Sequence, residues 1–243
     1  MARYIVGTSG WHYDDWKGLF YPEKLPKSKW LEFFADRFTT VELNNTFYRL
    51  PSEKAFKNWH DSTPAEFIFA VKMSRFVTHI KRLNDTREAL QNFMSRATLL
   101  KGKLGPVLYQ LPPGLHRDDA RLMAFLADLP QGYKHVFEFR HESWLADEVY
   151  DILRQYHIGM CVFDMPGLSC PLLATTDFAY IRFHGKDSLY SSCYSDEELA
   201  DWAEKIQKLA ENLDEIYIYF NNDVQGFALK NAETIRKYLI RKI

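Results

Sequence analysis

Eight short apolar runs, spread along the whole chain, constrain the fold of this sequence more than any other feature. Most are rich in Val, Ile, Phe or Tyr and too uniformly apolar for strands with one face in water. The runs are Tyr4–Gly7, Thr40–Leu43, Phe67–Val71, Pro106–Leu111, Val136–Phe139, Gly159–Phe163, Ala179–Phe183 and Glu215–Phe220. Segments with a helical spacing of apolar residues lie between most of them: Ser28–Phe38, Asp85–Leu100, Asp118–Leu129, Asp147–Tyr156, Asp196–Asn212 and about Ala228 to Lys242.

Strands that alternate with helices imply parallel strands joined by helical crossovers. Eight such repeats in 243 residues favour a single (β/α)₈ barrel, a fold of roughly 250 residues. An open doubly wound parallel sheet is the structural alternative. The stretch Met165–Phe178 contains two prolines and a glycine and has no helical pattern. We therefore predict one domain, residues 1–243, in which the sixth helix is short or missing.

Composition and charge limit the possible partners. Hydrophobic residues make up 47% of the chain, and 31 basic residues nearly balance 32 acidic ones. With no long block of like charge, nucleic acid is disfavoured as a partner, although a basic groove could hide in a balanced total. No apolar run approaches the ~20 residues needed to cross a bilayer, and the N-terminus lacks a signal-peptide pattern. These features predict a cytoplasmic protein with no membrane partner.

Known cofactor and metal motifs are missing from the sequence. There is no phosphate-binding loop, dinucleotide fingerprint or serine-nucleophile elbow, and the three cysteines lack metal-ligand spacing. We therefore predict no bound cofactor and no metal site.

Polar residues follow the apolar runs in pairs spaced two apart, and such pairs share one face of a strand. They are Glu42/Asn44, Glu138/Arg140, Arg182/His184 and Asn221/Asp223. In a (β/α)₈ barrel the ends of all eight strands meet at one mouth, where active sites lie. The sequence therefore predicts a polar pocket at the C-terminal mouth of the barrel.

Several of these segments carry a family resemblance that covers essentially the whole chain. The opening Gly7-Thr8-Ser9-Gly10-Trp11, the run Val41–Tyr48 and Gln110-Leu111-Pro112-Pro113 resemble the YecE-like proteins, domain of unknown function 72. So do Glu138-Phe139-Arg140-His141, Arg182-Phe183-His184-Gly185 and Tyr219–Asp223. The resemblance implies a TIM-barrel-like fold and leaves the activity unassigned.

The strand-end residues suggest an acid–base enzyme, a hydrolase, isomerase or lyase, acting on a small molecule that bears a phosphate or carboxylate. In this hypothesis Lys72, Arg140 and Arg182 hold the anion, and Glu138, Asp164 and His184 transfer protons. His184 is chosen as the acid–base group because the ordinary pKa of histidine, ~6.5, lies near neutral pH. The substrate would be oriented by Trp11, Glu42, Asn44, Gln110, Asn221 and Asp223.

Other interpretations of the same residues remain open. The arginines could be structural, Arg140 paired with Glu42 or Glu138, and Arg182 with Asp164. A divalent-metal hydrolase or isomerase would use Glu138, Asp164, His184 and Asp223, as in barrels such as endonuclease IV or xylose isomerase. That reading is the weaker one, because the two arginines lie beside the proposed ligands. A non-catalytic metabolite-binding protein could use the same mouth.

Overall fold

Eight parallel strands close into a barrel in the computed structural model, which describes residues 2–186 and 188–240. The strands are β1 (Arg3–Thr8), β2 (Thr40–Leu43), β3 (Ile68–Lys72), β4 (Leu104–Gln110), β5 (His135–Glu138), β6 (Gly159–Asp164), β7 (Phe178–Phe183) and β8 (Glu215–Phe220). Each strand pairs with the next along the chain, and β8 pairs with β1. The predicted (β/α)₈ barrel is therefore confirmed, and the open-sheet alternative is wrong.

Helices cover the outside of the barrel. They are α1 (Trp30–Ala35), α2 (Asn45–Tyr48), α3 (Glu53–Asp61), α4 (Arg87–Ala97), α5 (Asp119–Ala127), α6 (Asp147–Gln155), α7 (Asp196–Leu209) and α8 (Phe227–Ile240). Six of these lie within or close to the predicted helical segments, whereas α2 and α3 were not predicted. Helix α3 is amphipathic, but its apolar face is small, since Phe56 is its only fully buried residue. The predicted end of the last helix, 241–242, lies outside the described residues.

The connection between β6 and β7 contains no helix in the described residues, as the prolines and glycine of that stretch predicted. Its end is fixed to the barrel by Thr175. The hydroxyl group of Thr175 donates to Ile158 O at 2.5 Å and accepts from Met160 N at 2.8 Å. The chain thus returns to the start of β7 without a helical crossover.

Alternate residues of each strand fill the barrel interior. The interior core contains Ile5, Ala70, Leu108, Val136, Cys161, Phe178, Tyr180, Tyr217 and Tyr219. Continuing this alternation toward the strand ends identifies the side chains that point into the mouth. Within the described residues, no helix combines the length and apolar character needed to span a bilayer.

Candidate functional site

The residues two or four positions after the interior core residues form the floor and walls of the mouth. Val136 on β5 is followed on the same face by Glu138 and Arg140, and Tyr180 on β7 is followed by Arg182 and His184. Every strand except β6 directs a polar side chain inward in this way. The inward set contains Ser9, Glu42, Asn44, Lys72, Gln110, Glu138, Arg140, Arg182, His184, Asn221 and Asp223.

Two glutamates and one arginine form a charged chain beneath the mouth. Arg182 Nη2 donates to Glu42 Oε1 at 2.7 Å, and Arg182 Nη1 donates to Glu138 Oε2 at 2.5 Å. All three side chains are completely excluded from solvent. Arg182 therefore pairs with Glu42 and Glu138, and the structural pairing of Arg182 with Asp164 considered from the sequence is wrong.

Additional hydrogen bonds satisfy Glu42. Ser9 Oγ donates to Glu42 Oε1 at 2.7 Å, and the Tyr180 hydroxyl donates to Glu42 Oε2 at 2.5 Å. Burial alone would raise the pKa of Glu42, but the charge of Arg182 and these hydrogen bonds lower it below its usual value. Glu42 is therefore a permanent carboxylate that holds Arg182 in place.

Arg140 extends the charged chain from Glu138 toward solvent. It forms an ion pair with Glu138, and its Nη1 points at Met165 Sδ at 2.9 Å, a weak acceptor. Burial opposes ionisation of Glu138, yet the neighbouring Arg140 and Arg182 hold its pKa well below the usual range. The pairing of Arg140 with Glu138 agrees with one of the structural pairings considered from the sequence.

His184 lies inside the charged cluster and is fully buried. Its Nε2 is 2.8 Å from Arg140 Nη2 and 3.4 Å from Arg182 Nη1, both of which can only donate. Burial and the charge of Arg182 lower the pKa of His184 to about 3, so the ring is neutral at pH 7. The amide nitrogen of Asn221 lies 3.1 Å from Nδ1, and Glu138 Oε1 lies 3.3 Å from Nε2.

Lys72 lies on the neighbouring side of the mouth at the end of β3. Its Nζ donates to Gln110 Oε1 at 2.7 Å and lies 4.4 Å from the centre of the Phe47 ring. The residue is 9% exposed, and among the described residues it forms no ion pair with a carboxylate. Burial, followed by the charge of Arg182, lowers the pKa of Lys72 to about 8.

A cavity of about 470 Å³ opens beside Arg140 and Gln110 at the C-terminal ends of the strands. Its other walls include His141, Met165 and Tyr190. Cavities of similar size lie elsewhere, such as one of about 510 Å³ against α4. The mouth cavity is lined by Arg140 of the buried charged cluster, so we take it as the candidate site.

Asp223 lies at the β8 side of the mouth and has an unusual protonation state. Its Oδ1 is buried and has no hydrogen-bond partner in the described residues, while its backbone oxygen accepts from Trp16 Nε1 at 3.0 Å. The nearby Tyr13 hydroxyl donates to Ser9 O at 2.5 Å. Burial raises the pKa of Asp223 to about 8, so it is mainly a neutral acid at pH 7.

Asp164 does not join this cluster. Cys161 faces the barrel interior, so the alternation along β6 turns Phe163 inward and Asp164 outward. The carboxyl group of Asp164 accepts a hydrogen bond from Tyr194 on the outer side of the barrel, and burial raises its pKa. The expectation that Asp164 shares the pocket with Glu138 and His184 is therefore wrong. Asp164 lies one residue out of step with the inward-facing positions of β6.

The four metal ligands considered from the sequence do not come together in the structure, for the same reason. Asp164 points outward, and Glu138 is already bound by two arginines. Within residues 2–186 and 188–240, no group of three or more His, Cys, Asp or Glu side chains is arranged to hold a metal ion. The geometry thus lends the divalent-metal alternative no support.

Two residues predicted to orient substrate occupy different surroundings. The ring of Trp11 packs edge-on against Trp59 of α3, with 5.8 Å between the centroids, and belongs to the hydrophobic core. Asn44 precedes α2, and its buried Oδ1 has no hydrogen-bond partner in the described part of the chain. Asn44 therefore remains a candidate for contacting a ligand, whereas Trp11 is a packing residue.

Sequence reasoning did not assign roles to Ser9, Tyr13, Tyr180 and His79. Tyr180 could have been found, because it lies two residues before Arg182 and so shares its face. Tyr13 and His79 lie beyond strand ends, where no periodic pattern applies. His79 lies beside the Phe47 ring, and burial and the charge of Lys72 lower its pKa to about 4.

Comparison with known proteins gives the chain a consistent set of relatives. A family model described as "Protein of unknown function DUF72" matches residues 5–242. The UPF0759 protein YunF of Bacillus subtilis is 25% identical over 267 residues, which cover 96% of this chain and 94% of YunF.

Solved structures show the same relationship. A DUF72 family protein from Thermotoga maritima is 35% identical, with a TM-score of 0.90 and coverage of 98% of this chain and 100% of that one. A DUF72 family protein from Enterococcus faecalis has a TM-score of 0.85 at 19% identity, covering 100% of this chain and 97% of that one. The second likeness concerns the fold alone.

Proposed function

The chain belongs to the DUF72 family, and we propose that its barrel mouth binds a small anionic molecule and transfers protons to or from it. The observation that carries this proposal is Lys72, a nearly buried ammonium group with no carboxylate partner in the described residues. A buried charge is unfavourable unless it is paired. An anionic ligand in the mouth would supply the missing charge.

The charge balance of the buried cluster supports an anion. Glu42 and Glu138 contribute two negative charges, and Arg140, Arg182 and Lys72 contribute three positive ones. His184 is neutral, so the cluster has one excess positive charge when Lys72 is protonated. A phosphate or carboxylate group would neutralise it and could accept hydrogen bonds from Arg140 and Lys72.

The shape of the mouth agrees with a small ligand. Its volume of about 470 Å³ lies near the lower end of the range of ~300–1,000 Å³ typical of small-molecule sites. Arg140 is 9% exposed and borders this space, whereas Arg182 is not exposed at all. We therefore assign anion contact to Arg140, which lines the cavity, and to Lys72, which adjoins it through Gln110. We assign to Arg182 the positioning of Glu138 and Glu42.

Proton transfer is assigned to groups whose pKa values lie near neutral pH. Asp223 and Lys72 each have a pKa of about 8, one raised and the other lowered by burial. Asp223 is thus available as a proton donor, and Lys72 can exchange a proton with a substrate. His184, with a pKa of about 3, is a poor acid at pH 7 and serves here to position Arg140.

One observation favours a second candidate, a protein that binds its ligand without changing it. Glu42, Arg182 and Glu138 hold one another in ion pairs that are excluded from solvent, as expected for a rigid binding scaffold. The two candidates differ in the fate of the ligand. A bound metabolite that is released chemically unchanged after prolonged incubation would favour the binding protein.

The anion site is tested by isothermal titration calorimetry with inorganic phosphate, acetate and malonate. We expect at least one of these anions to bind the wild type, and its affinity to fall at least ~10-fold in Lys72→Met and in Arg140→Met. Lys81→Met, a lysine of the loop after β3, is the matched control and should bind as the wild type does. Binding should also weaken as pH rises past about 8, where Lys72 loses its charge.

Two results would contradict the proposal. One is the absence of binding by all three anions at millimolar concentration. The other is equal affinity in the wild type, Lys72→Met and Arg140→Met, which would place the anion elsewhere on the molecule.

A further inference from the structure

Two buried lysines of this chain have opposite surroundings. Lys103, just before β4, is 7% exposed and donates to His60 O, to Thr63 O at 2.7 Å and to Thr63 Oγ1 at 3.1 Å. Its three N–H groups therefore have three oxygen acceptors. This is the pattern of a lysine that is buried for structural reasons.

Lys72 is equally buried but has one acceptor, Gln110 Oε1, among the described residues. Two of its N–H groups have no oxygen or nitrogen acceptor in the part of the chain that the structure describes. The ring of Phe47 lies on one side, 4.4 Å from Nζ, and Gln110 connects the amine to the mouth cavity. Lys72 therefore meets the cavity through Gln110, and a molecule in the cavity would reach Nζ by displacing that amide.

Burial favours the neutral amine of Lys72 and is the main cause of its lowered pKa. The charges of Arg182 and Arg140 act in the same direction, whereas those of Glu138 and Glu42 oppose them. A lysine that is desolvated and close to other cations is activated as a nucleophile, because its neutral form is more populated at physiological pH. A lysine whose only task is to hold an anion does not need this activation.

We propose that Lys72 is a nucleophile that forms an imine with a small aldehyde or ketone carrying a carboxylate or phosphate group. This inference rests on the proposed function, because Arg140 would hold the anionic group while Nζ attacks the carbonyl carbon. It narrows the substrate class to anionic carbonyl compounds. It also gives the excess positive charge of the mouth a chemical role.

The reaction balances without an additional reagent. Nζ loses a proton and forms a bond to the carbonyl carbon, and the carbonyl oxygen is protonated to a hydroxyl group. The nitrogen lone pair then forms the C=N bond, the C–O bond breaks, and the oxygen leaves as water. Overall, the ammonium group and the carbonyl compound give an iminium ion and one water molecule, with no net change in protons and no oxidation.

The test uses glyoxylate as the probe, together with sodium cyanoborohydride, which reduces an iminium to a stable amine. Wild-type protein is treated at pH 7 for short times, and carboxymethylated lysines are located and quantified by peptide mass spectrometry. We expect Lys72 to be modified at least ~10-fold faster than the exposed lysines, because a pKa of about 8 provides far more free amine than the ordinary ~10.4. Inorganic phosphate should slow this modification.

Two variants serve as controls. Lys72→Arg keeps the positive charge, should abolish modification at position 72 and should leave the other lysines unaffected. Lys103→Arg removes the other buried lysine and should leave the rate at Lys72 unchanged. In the wild type, Lys103 should react more slowly than the exposed lysines, because all three of its N–H groups are held by oxygen acceptors, even though burial lowers its pKa as well.

The possible outcomes distinguish this inference from the proposed anion-binding function on which it rests. If Lys72 reacts no faster than the exposed lysines while calorimetry shows anion binding at Arg140 and Lys72, the imine is wrong and the anion site stands. If neither binding nor selective modification occurs, both are wrong. Selective modification at Lys72 that phosphate suppresses supports both.

Discussion

Arg182 Nη1 and Glu138 Oε2 lie 2.5 Å apart, and neither side chain has any surface exposed to solvent. The second guanidinium nitrogen of Arg182 holds Glu42 at 2.7 Å, so one residue of β7 connects carboxylates from β2 and β5. These strands lie on different sides of the barrel. The pairing therefore fixes the positions of Glu138 and, through it, of Arg140 at the mouth.

Replacing Arg182 by Met should strongly destabilise the protein. The variant leaves Glu42 and Glu138 as buried carboxylates without their shared cation, and breaking a buried ion pair in this way costs about 3–5 kcal/mol. The free energy of unfolding, measured by urea denaturation at pH 7, reports the loss.

The matched control for this prediction is Arg87→Met. Arg87 forms an ion pair with Asp128 at 2.6 Å, but its side chain is 73% exposed. Exposed pairs contribute little to stability, so we expect no measurable loss in this variant. Equal destabilisation of the two variants would show that the buried chain does not hold the barrel together.

His184 should make the protein sensitive to mild acid. Its pKa is about 3 in the folded protein and 6.5 as the ordinary value, so between these pH values the unfolded chain binds a proton that the folded chain does not. The free energy of unfolding therefore decreases as pH falls below 6.5. One such group contributes a slope of up to ~1.4 kcal/mol per pH unit.

His184→Gln removes the group that takes up this proton. The slope of the free energy of unfolding against pH, between pH 6.5 and 4.5, should therefore fall by up to ~1.4 kcal/mol per pH unit. Glu42 and Glu138 have lowered pKa values, so their contribution is present above the ordinary value of 4.5 and is lost only at lower pH. Urea denaturation at several pH values measures the slope directly. An unchanged slope in the variant would mean that His184 is protonated in the folded protein.

Asp223 should be protonated at neutral pH. Its pKa of about 8 predicts that the carboxyl carbon titrates in the range of pH 7 to 9, far above the ordinary value of 3.8. Carbon-13 NMR of protein labelled at aspartate carboxyl groups can follow this titration. The assignment comes from Asp223→Asn, whose spectrum should lack the signal, and a carboxyl signal that titrates near pH 4 would remove Asp223 as a proton donor.

The strands and most of the helices could be predicted from the sequence because they depend on local patterns. Thr40–Leu43 and Glu215–Phe220 were predicted with the observed bounds, since each is an apolar run between polar residues. The lack of a helix between β6 and β7 in the described residues was also predicted, from Pro166, Gly167 and Pro171. Helix α3 was missed although it is amphipathic, because its apolar face is small and Phe56 is its one fully buried residue.

The candidate site was predictable where a residue's strand phase was clear from the sequence. Glu138, Arg140, Arg182 and His184 follow interior residues at spacings of two, and the structure brings them together. Asp164 was misplaced because it directly follows β6 residues that are apolar on both faces. In such a strand the sequence does not show which alternate residues point inward.

The sequence by itself determined that eight apolar strands alternate with helices, and that ionisable residues collect at their C-terminal ends. It could do so because both properties depend on neighbouring residues and on spacings along one strand. The tertiary structure alone decided that Arg182 neutralises Glu42 and Glu138, that His184 is held neutral, and that Lys72 lacks a carboxylate partner among the described residues. These properties depend on burial and on distances between residues far apart in the chain, which closure of the barrel creates.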